Sequence, residues 1–222
     1  MVNSVERVSR KHLAIILSRV PSFERAKVEL EQYRTDPEVA ATLVYSVLAR
    51  EGSVDSIADF GCGTGMLTYG MLISGAAAYA VCIDIDYDAI RVAHEFVRNE
   101  MFGHAVDLVV ADARCPPLRE KSIEVVVMNP PFGIRSRRGI DLEFLRAAIA
   151  VSNKVYSIHA WSDGLLRAIR AKLGCKAGVI DVLNHAIPAF LLEHRRRVHR
   201  VKVALVVVRG EDCETRSADT CS

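Results

Sequence analysis

Ser56-Ile57-Ala58-Asp59-Phe60-Gly61-Cys62-Gly63-Thr64-Gly65 is the stretch whose reading decides the fold. Strand-like residues run directly into three glycines at alternate positions, and a helical pattern begins near Met66. Such a turn lets backbone N–H groups approach a ligand closely, at the positive end of the following helix. A tight turn with no ligand is the plainer reading. The next strand-like run weighs against it, because Tyr79–Asp84 ends in Ile83-Asp84-Ile85-Asp86 and puts Asp84 nineteen residues beyond Gly65. A carboxylate at that distance can accept both hydroxyls of an adenosine ribose. These features fit a nicotinamide dinucleotide as well as S-adenosylmethionine. G-x-G-x-G lacks the final glycine that lets a helix pack close beneath a pyrophosphate, so a ligand without phosphates is favoured. Asp86 and Asp88 are expected to cap the following helix.

Outward from this turn, short β-branched runs alternate with helical stretches, which predicts βαβ units and a mostly parallel sheet. The expected strands are Ser56–Phe60, Tyr79–Asp84, Val106–Ala111, Ile123–Met128 and Lys154–His159, then, after a helix over Ser162–Leu173, Ala177–Leu183 and Val198–Val208. The last two are joined closely enough to be antiparallel. Residues 1–50 read as helical, with Leu13, Ile16, Leu17 and Val20, then Val39, Leu43 and Val47, near a 3.6 period and Pro21 between two helices. The expected organisation is an N-terminal helical extension over 1–50 that contributes to the cofactor site, one α/β domain over 51–209, and a disordered tail over 210–222.

The chain has 222 residues, enough for one substantial core but not for two comfortable domains. No apolar run approaches the roughly 18 to 20 residues that span a bilayer, and no signal-peptide core opens the sequence, so a cytoplasmic location is expected. The six cysteines never fall in a C-x-x-C spacing, which signals neither a zinc knuckle nor a redox pair. They are expected to serve as buried small apolar thiols, and no metal is expected. A net charge of +2 with pI near 8.2 is only mildly basic. Charge therefore leaves the substrate open.

The fourth strand ends in Asn129-Pro130-Pro131-Phe132 after Val125-Val126-Val127-Met128. In a doubly wound sheet the first and fourth strands are neighbours at the topological switch point, which places this motif beside the glycine turn. An exocyclic amino nitrogen on an aromatic ring is a poor nucleophile because its lone pair is delocalised. The Asn129 side-chain oxygen and the Pro130 carbonyl can each accept one N–H, holding the nitrogen toward tetrahedral geometry and accommodating its developing positive charge. The two prolines stiffen the loop, and Phe132 offers a face on which a base can stack. The bland reading, a proline-rich strand terminator with a packed Phe, explains neither the glycine turn nor the acids in register with it. The third strand ends at Asp112-Ala113, a carboxylate beside a small residue that suits an adenine amino group and ring edge.

From about Phe23 to Val208 the sequence resembles class I methyltransferases with an N-P-P-F signature, specifically the methyltransferase-like-five family of small-subunit ribosomal RNA adenine-N6 methyltransferases and their archaeal relatives. The matching residues are Phe23-Glu24, Leu30-Glu31-Gln32-Tyr33 with Thr35, the run Asp59–Gly65, Asp84-Ile85-Asp86, Asn129–Gly133, Gly139, Asp141, Phe144-Leu145 and Val155–His159. The resemblance implies a Rossmann-like, seven-stranded, mostly parallel sheet with an antiparallel last strand, N-terminal helices, and the third strand on an edge. It implies that Gln32, Thr35, Asp59, Gly61, Gly63, Thr64, Met66, Asp84, Asp112, Ala113 and Asn129 form the S-adenosylmethionine site, and that Asn129, Pro130, Pro131 and Phe132 hold the target adenine. S-adenosylhomocysteine would be the product. Family members carry a small zinc-binding activator of the tRNA-methyltransferase-112 type on the third strand, whose apolar Val106, Leu108 and Val109 would be a liability if bare. Two positions depart from the pattern: Arg34 stands for a proline and Thr64 for a cysteine.

Arg135, Arg137 and Arg138 follow the N-P-P-F loop, and Arg195, Arg196, Arg197, Arg200 and Lys202 form a second basic stretch. Beside a methylation pocket they suit phosphates flanking an extruded base, against the alternative of a solvated charged surface. His159 is expected to satisfy its hydrogen bonds in the core. Two competing functions are glutamine-amide methylation in a protein, which uses a related N-P-P-Y motif, and a non-catalytic ribosome-assembly factor. Phe132 in place of Tyr and the arginine-rich continuation favour a nucleobase over the first, and the nitrogen-holding loop itself argues against the second.

Overall fold

The computed structural model describes residues 8–188 and 198–214. Helices α1 (Arg10–Leu17) and α2 (Pro37–Glu51) precede β1 (Val54–Phe60), α3 (Met66–Ile73), β2 (Ala77–Asp84), α4 (Tyr87–Asn99), β3 (Val106–Val110), β4 (Val125–Met128), α5 (Ile140–Val151), β5 (Lys154–Ala160), α6 (Leu165–Leu173), β6 (Cys175–Pro188) and β7 (Val198–Cys213). The seven strands form one sheet in the order β3-β2-β1-β4-β5-β7-β6. Only β7 runs against the rest, pairing antiparallel with both β5 and β6. The sheet is the expected Rossmann-like one, with β3 on an edge.

The strands at the centre are buried on both faces, which is why they read as continuous rather than alternating apolar runs. In β4, Val125 and Val127 join the core under α1 to α4, whereas Val126 and Met128 join the core under α5 and α6. The β1 and β4 strands are parallel neighbours, with Phe60 opposite Met128. That register brings the glycine turn after β1 and the Asn129 loop after β4 to one end of the sheet, where ligands of open α/β folds bind.

Two helices in the first 50 residues are as expected, but residues 18–36 between them are not α-helical and hold only a 3-10 turn, Val28–Leu30. Side chains there capture the backbone: Lys27 N donates to Gln32 Oε1 at 2.8 Å, and Glu31 takes the left-handed conformation at φ 52°. Apolar periodicity does not register such competition. The expected tail begins too early at 210. β7 continues to Cys213, Gly210 N donates to Asn153 O at 2.8 Å, and Glu214 N donates to Gly174 O at 3.0 Å. Polar residues at the end of a paired strand look like loss of structure in sequence; the rest of that segment, 215–222, lies outside the described residues. The cysteines are a further correction, since Cys62–Cys82 and Cys175–Cys213 are disulfides. Both link neighbouring elements across the sheet, at sequence separations of 20 and 38, so a search for local spacing could not find them. Among the described residues no helix is long and apolar enough to cross a membrane, and no group of three or more His, Cys, Asp or Glu could hold a metal.

Candidate active site

A cleft opens at the carboxyl ends of β1, β2 and β4, where ligands of open α/β sheets bind. Its floor is the glycine turn. Gly61, Gly63 and Gly65 all have positive φ, and a Cβ at Gly63 would lie 2.8 Å from the Phe23 ring. Phe23 thus closes over the turn as only glycine permits. The Thr64 hydroxyl donates to Pro21 O at 2.7 Å, so the segment after α1 is fastened to the turn twice. Met66 opens α3 at the cleft wall.

Asp84, at the end of β2, lines the cleft and is mostly buried. Its Oδ2 accepts from Gly63 N at 2.8 Å and its Oδ1 from Asp86 N at 2.9 Å. Each carboxylate oxygen keeps a second acceptor site for a ligand hydroxyl. Burial raises its pKa above the ordinary aspartate value, with backbone donors from Asp86 and Gly63 opposing. Asp86 caps α4, as expected, by accepting from Asp88 N. It also accepts from Lys27 Nζ and from Gln32 Nε2 at 2.6 Å. Burial works against its charge, but Lys27, Gln32 and the Asp88 N–H together hold its pKa below the ordinary value. Gln32 lines the cleft while both ends of its amide are spent holding the loop.

Asp112 and Ala113 lie in the cleft wall, with Arg114 gripping the Asp112 carboxylate through Nε and Nη2 and lowering its pKa. Asp59 is placed differently from the other expected cofactor residues. It does not line the cleft but lies buried beneath the turn, where Oδ2 accepts from Thr68 N at 2.9 Å and Thr68 Oγ1 at 2.8 Å. Burial raises its pKa to about 7. A strand-end acid next to a glycine run reads the same in sequence whether it faces the ligand or the helix behind it.

Asn129 carries the sharpest feature of the site. Its Nδ2 donates to Thr35 Oγ1 at 3.0 Å, while its Oδ1 is buried without a hydrogen-bond partner. An unpaired buried acceptor costs about 1–3 kcal/mol; at a cleft wall it can take an incoming donor, and the buried Tyr33 hydroxyl beside it is likewise without a hydrogen-bond partner. Pro130 and Pro131 continue the wall. Phe132 stands outside this cleft, packed on Tyr33 with ring centroids 5.8 Å apart. Tyr33 is buried, and burial raises its hydroxyl pKa well above the ordinary value, with the Glu31 charge adding to that and the Asn129 amide opposing it. On its other side Tyr33 meets His185 of β6 at 5.3 Å; His185 is fully buried and pushed down to about 4 by burial.

Arg135, Arg137 and Arg138 are exposed beside the loop, but Arg137 pairs with Glu143 at the start of α5 and Arg135 donates its backbone N–H to Glu31. Arg195, Arg196 and Arg197 lie outside the described residues. His159 is fully buried, with Nδ1 2.9 Å from Asp141 Oδ2 and Nε2 2.9 Å from Ser157 Oγ, so it is satisfied in the core as expected.

A family model for the methyltransferase small domain matches residues 34–156, more than half of the chain. This chain belongs to the methyltransferase small domain family. The methyltransferase is 32% identical over 203 residues to the rRNA N(6)-adenosine-methyltransferase Mettl5 of Drosophila melanogaster, covering 89% of this chain and 94% of that protein. The zebrafish (Danio rerio) rRNA N(6)-adenosine-methyltransferase METTL5 is also 32% identical over 203 residues, with 88% and 96% covered. Among solved structures, PH1948 of Pyrococcus horikoshii superposes with a TM-score of 0.79 at 32% identity, covering 90% of this chain and 97% of that one.

Several contributors to the methyltransferase's cleft carried no chemical signal in the sequence. Phe23 and Glu31 belonged to the resemblance without a role, and Lys27 and His185 stood out in no motif. Arg34 could have left the loop shape uncertain, yet its guanidinium donates to Ser18 O at 3.2 Å and Val20 O at 2.9 Å just beyond the end of α1, where a cation is favoured.

Proposed function

We propose that this methyltransferase transfers a methyl group from S-adenosylmethionine to N6 of an adenine in small-subunit ribosomal RNA. The observation that carries the reading is the unpaired, buried Oδ1 of Asn129 at the wall of the cleft. Thr35 holds the Asn129 Nδ2, which leaves the oxygen to face an incoming N–H. The Pro130 carbonyl is the natural second acceptor. With both amino hydrogens held, the nitrogen lone pair turns out of conjugation with the ring, and the two oxygens accommodate the positive charge that develops.

The cleft fits the cofactor. The glycine turn with Phe23 closed over it forms a floor, Asp84 retains acceptor capacity for ribose hydroxyls, and Asp112 with Ala113 offers a polar edge and a flat wall for adenine. When bound, S-adenosylmethionine supplies an electrophilic methyl group. Gln32 and Lys27 hold the N-terminal loop over its site through Asp86. RNA as substrate rests on the two rRNA methyltransferases that match nearly the whole chain, with the exposed Arg138 and its neighbours beside the cleft to meet phosphate. Ribosomal RNA in turn favours a cytoplasmic setting. Intramolecular disulfides are rare in that setting except in hyperthermophiles, which fits the resemblance to archaeal proteins.

We also assign the β3 edge to a small activator protein of the tRNA-methyltransferase-112 type. β3 pairs with β2 on one side, and Val110 is 49% exposed at its end. Val106, Leu108 and Val109 pack on the protein's own cores, so strand addition would use the backbone groups of that edge and the exposed Val110.

Incubating the protein with tritiated S-adenosylmethionine and separated ribosomal RNA, transfer RNA and protein fractions tests the function. Label in ribosomal RNA is the expected result. Label confined to protein would mean that the site methylates a glutamine amide.

A further inference from the structure

The N-terminal loop and the segment after Asn129 are joined by one side chain. Glu31 is 3% exposed, and its carboxylate accepts four hydrogen bonds from residues 101 to 105 positions away. Oε2 accepts from Phe132 N at 2.7 Å. Oε1 accepts from Arg135 N at 2.7 Å, Ser136 N at 2.8 Å and Ser136 Oγ at 2.7 Å. Three backbone N–H groups converging on one centre make a nest of the kind that holds an anion, and here the anion is the chain's own carboxylate. The nest is wound around it by Gly133, whose φ is +77° and whose added Cβ would lie 3.2 Å from Arg137 O and Arg138 Cα. Glu31 itself takes a left-handed conformation at φ 52°, unusual for a residue with a side chain. Its neighbour Gln32 reaches Asp86 instead, on the cofactor side of the cleft.

We infer that Glu31 is the positioning residue of the base pocket: from the loop fastened to the cofactor side it shapes the Phe132–Ser136 segment, so that the wall meeting the target base is built upon the wall meeting the cofactor. This rests on the methyl-transfer reading and adds to it. A carboxylate is required because all four partners are donors, and a buried charge is tolerated only when its acceptor sites are filled. Glu31→Gln keeps the shape of the side chain but replaces one oxygen with an NH₂ group. The remaining oxygen serves the three donors from Arg135 and Ser136 best, which turns the NH₂ against the Phe132 N–H and releases the peptide next to the prolines.

The test measures three quantities on the full chain. In Glu31→Gln, backbone amide exchange over residues 132–136 should rise by about tenfold or more, the equivalent of one lost charge-assisted hydrogen bond. Single-turnover methyl transfer to ribosomal RNA should fall by roughly a hundredfold, as expected for a small displacement of a reacting group. S-adenosylmethionine affinity measured without RNA should stay within about twofold, because the cofactor wall keeps its own fastenings. Ser136→Ala, which removes one donor of four, should show about threefold effects on exchange and turnover, and it decides the matter if Glu31→Gln does not fold. Unchanged exchange over 132–136 in the variant measured overturns the proposal, as does a loss of cofactor affinity that parallels the loss of turnover. If the wild type methylates no RNA, the functional reading fails, and amide exchange alone still judges the clamp.

Discussion

The two walls of the cleft are built on opposite principles. On the proposed cofactor side the acids at the strand ends are engaged, Asp84 by the Gly63 and Asp86 N–H groups, Asp86 by Lys27 and Gln32, and Asp112 by Arg114, while Asp59 Oδ1 lies unpaired beneath the turn. On the other side Asn129 Oδ1 is buried and unpaired. At the cleft surface the first wall has its acids already paired and can bind by lending spare acceptor sites. The second holds an acceptor that an incoming donor can meet. Binding and chemistry should therefore separate under mutation.

The largest expected effect is on the Asn129 wall. Asn129→Ala should lower single-turnover methyl transfer by about 10²- to 10³-fold, the usual cost of removing one group that stabilises developing charge, while calorimetry finds S-adenosylmethionine bound as in the wild type. A parallel loss of cofactor affinity would erase the distinction between the walls.

Asp84→Ala should do the reverse, weakening S-adenosylmethionine by about 2–3 kcal/mol through the loss of charge-assisted hydrogen bonds. Calorimetry on the mutant checks this, and an unchanged Kd would remove Asp84 from the cofactor site.

Outside both walls, Val110→Lys at the exposed end of the β3 edge should abolish co-purification of the proposed activator. Retained co-purification would move the partner surface away from β3.

The smallest effect concerns Asp59, beneath the cofactor wall. Its pKa is raised to about 7 from 3.8, so the fold favours the protonated form. The stability this contributes is fully present below the unfolded value and is lost as pH rises through the folded one. Asp59→Asn should therefore flatten the fall in melting temperature between about pH 4 and pH 7 and raise melting temperature above pH 7, with little change in turnover. An equally steep fall in the mutant would show that Asp59 is ionised throughout.

The same contrast governs how much of the protein was legible in its sequence. The cofactor wall is local: a strand, a glycine turn and an acid at the next strand end follow one another within 30 residues, and each has a fixed geometric meaning. The Asn129 loop was legible too, because its neighbour across the sheet follows from the topology of the doubly wound fold. The clamp from Glu31 to residues 132–136 was not, since a carboxylate in a polar loop has no periodicity and three of its four donors are featureless backbone amides a hundred residues away. The disulfides escaped for the same reason, because each joins elements brought together only by the sheet. Asp59 was misplaced because alternation along β1 fixes which face a residue takes, whereas motif spacing does not. Between Val20 and Val39, where no apolar period is read, side-chain capture of backbone groups shapes a loop that the sequence does not specify.

The central claim is that Asn129 Oδ1 receives an amino hydrogen of a ribosomal adenine. Nucleoside mass spectrometry of small-subunit ribosomal RNA incubated with the protein, the proposed activator and S-adenosylmethionine tests it most directly. The account predicts N6-methyladenosine with the wild type and none above background with Asn129→Ala. Equal N6-methyladenosine from both proteins, or a methyl group on another nucleoside or on protein glutamine, would contradict it.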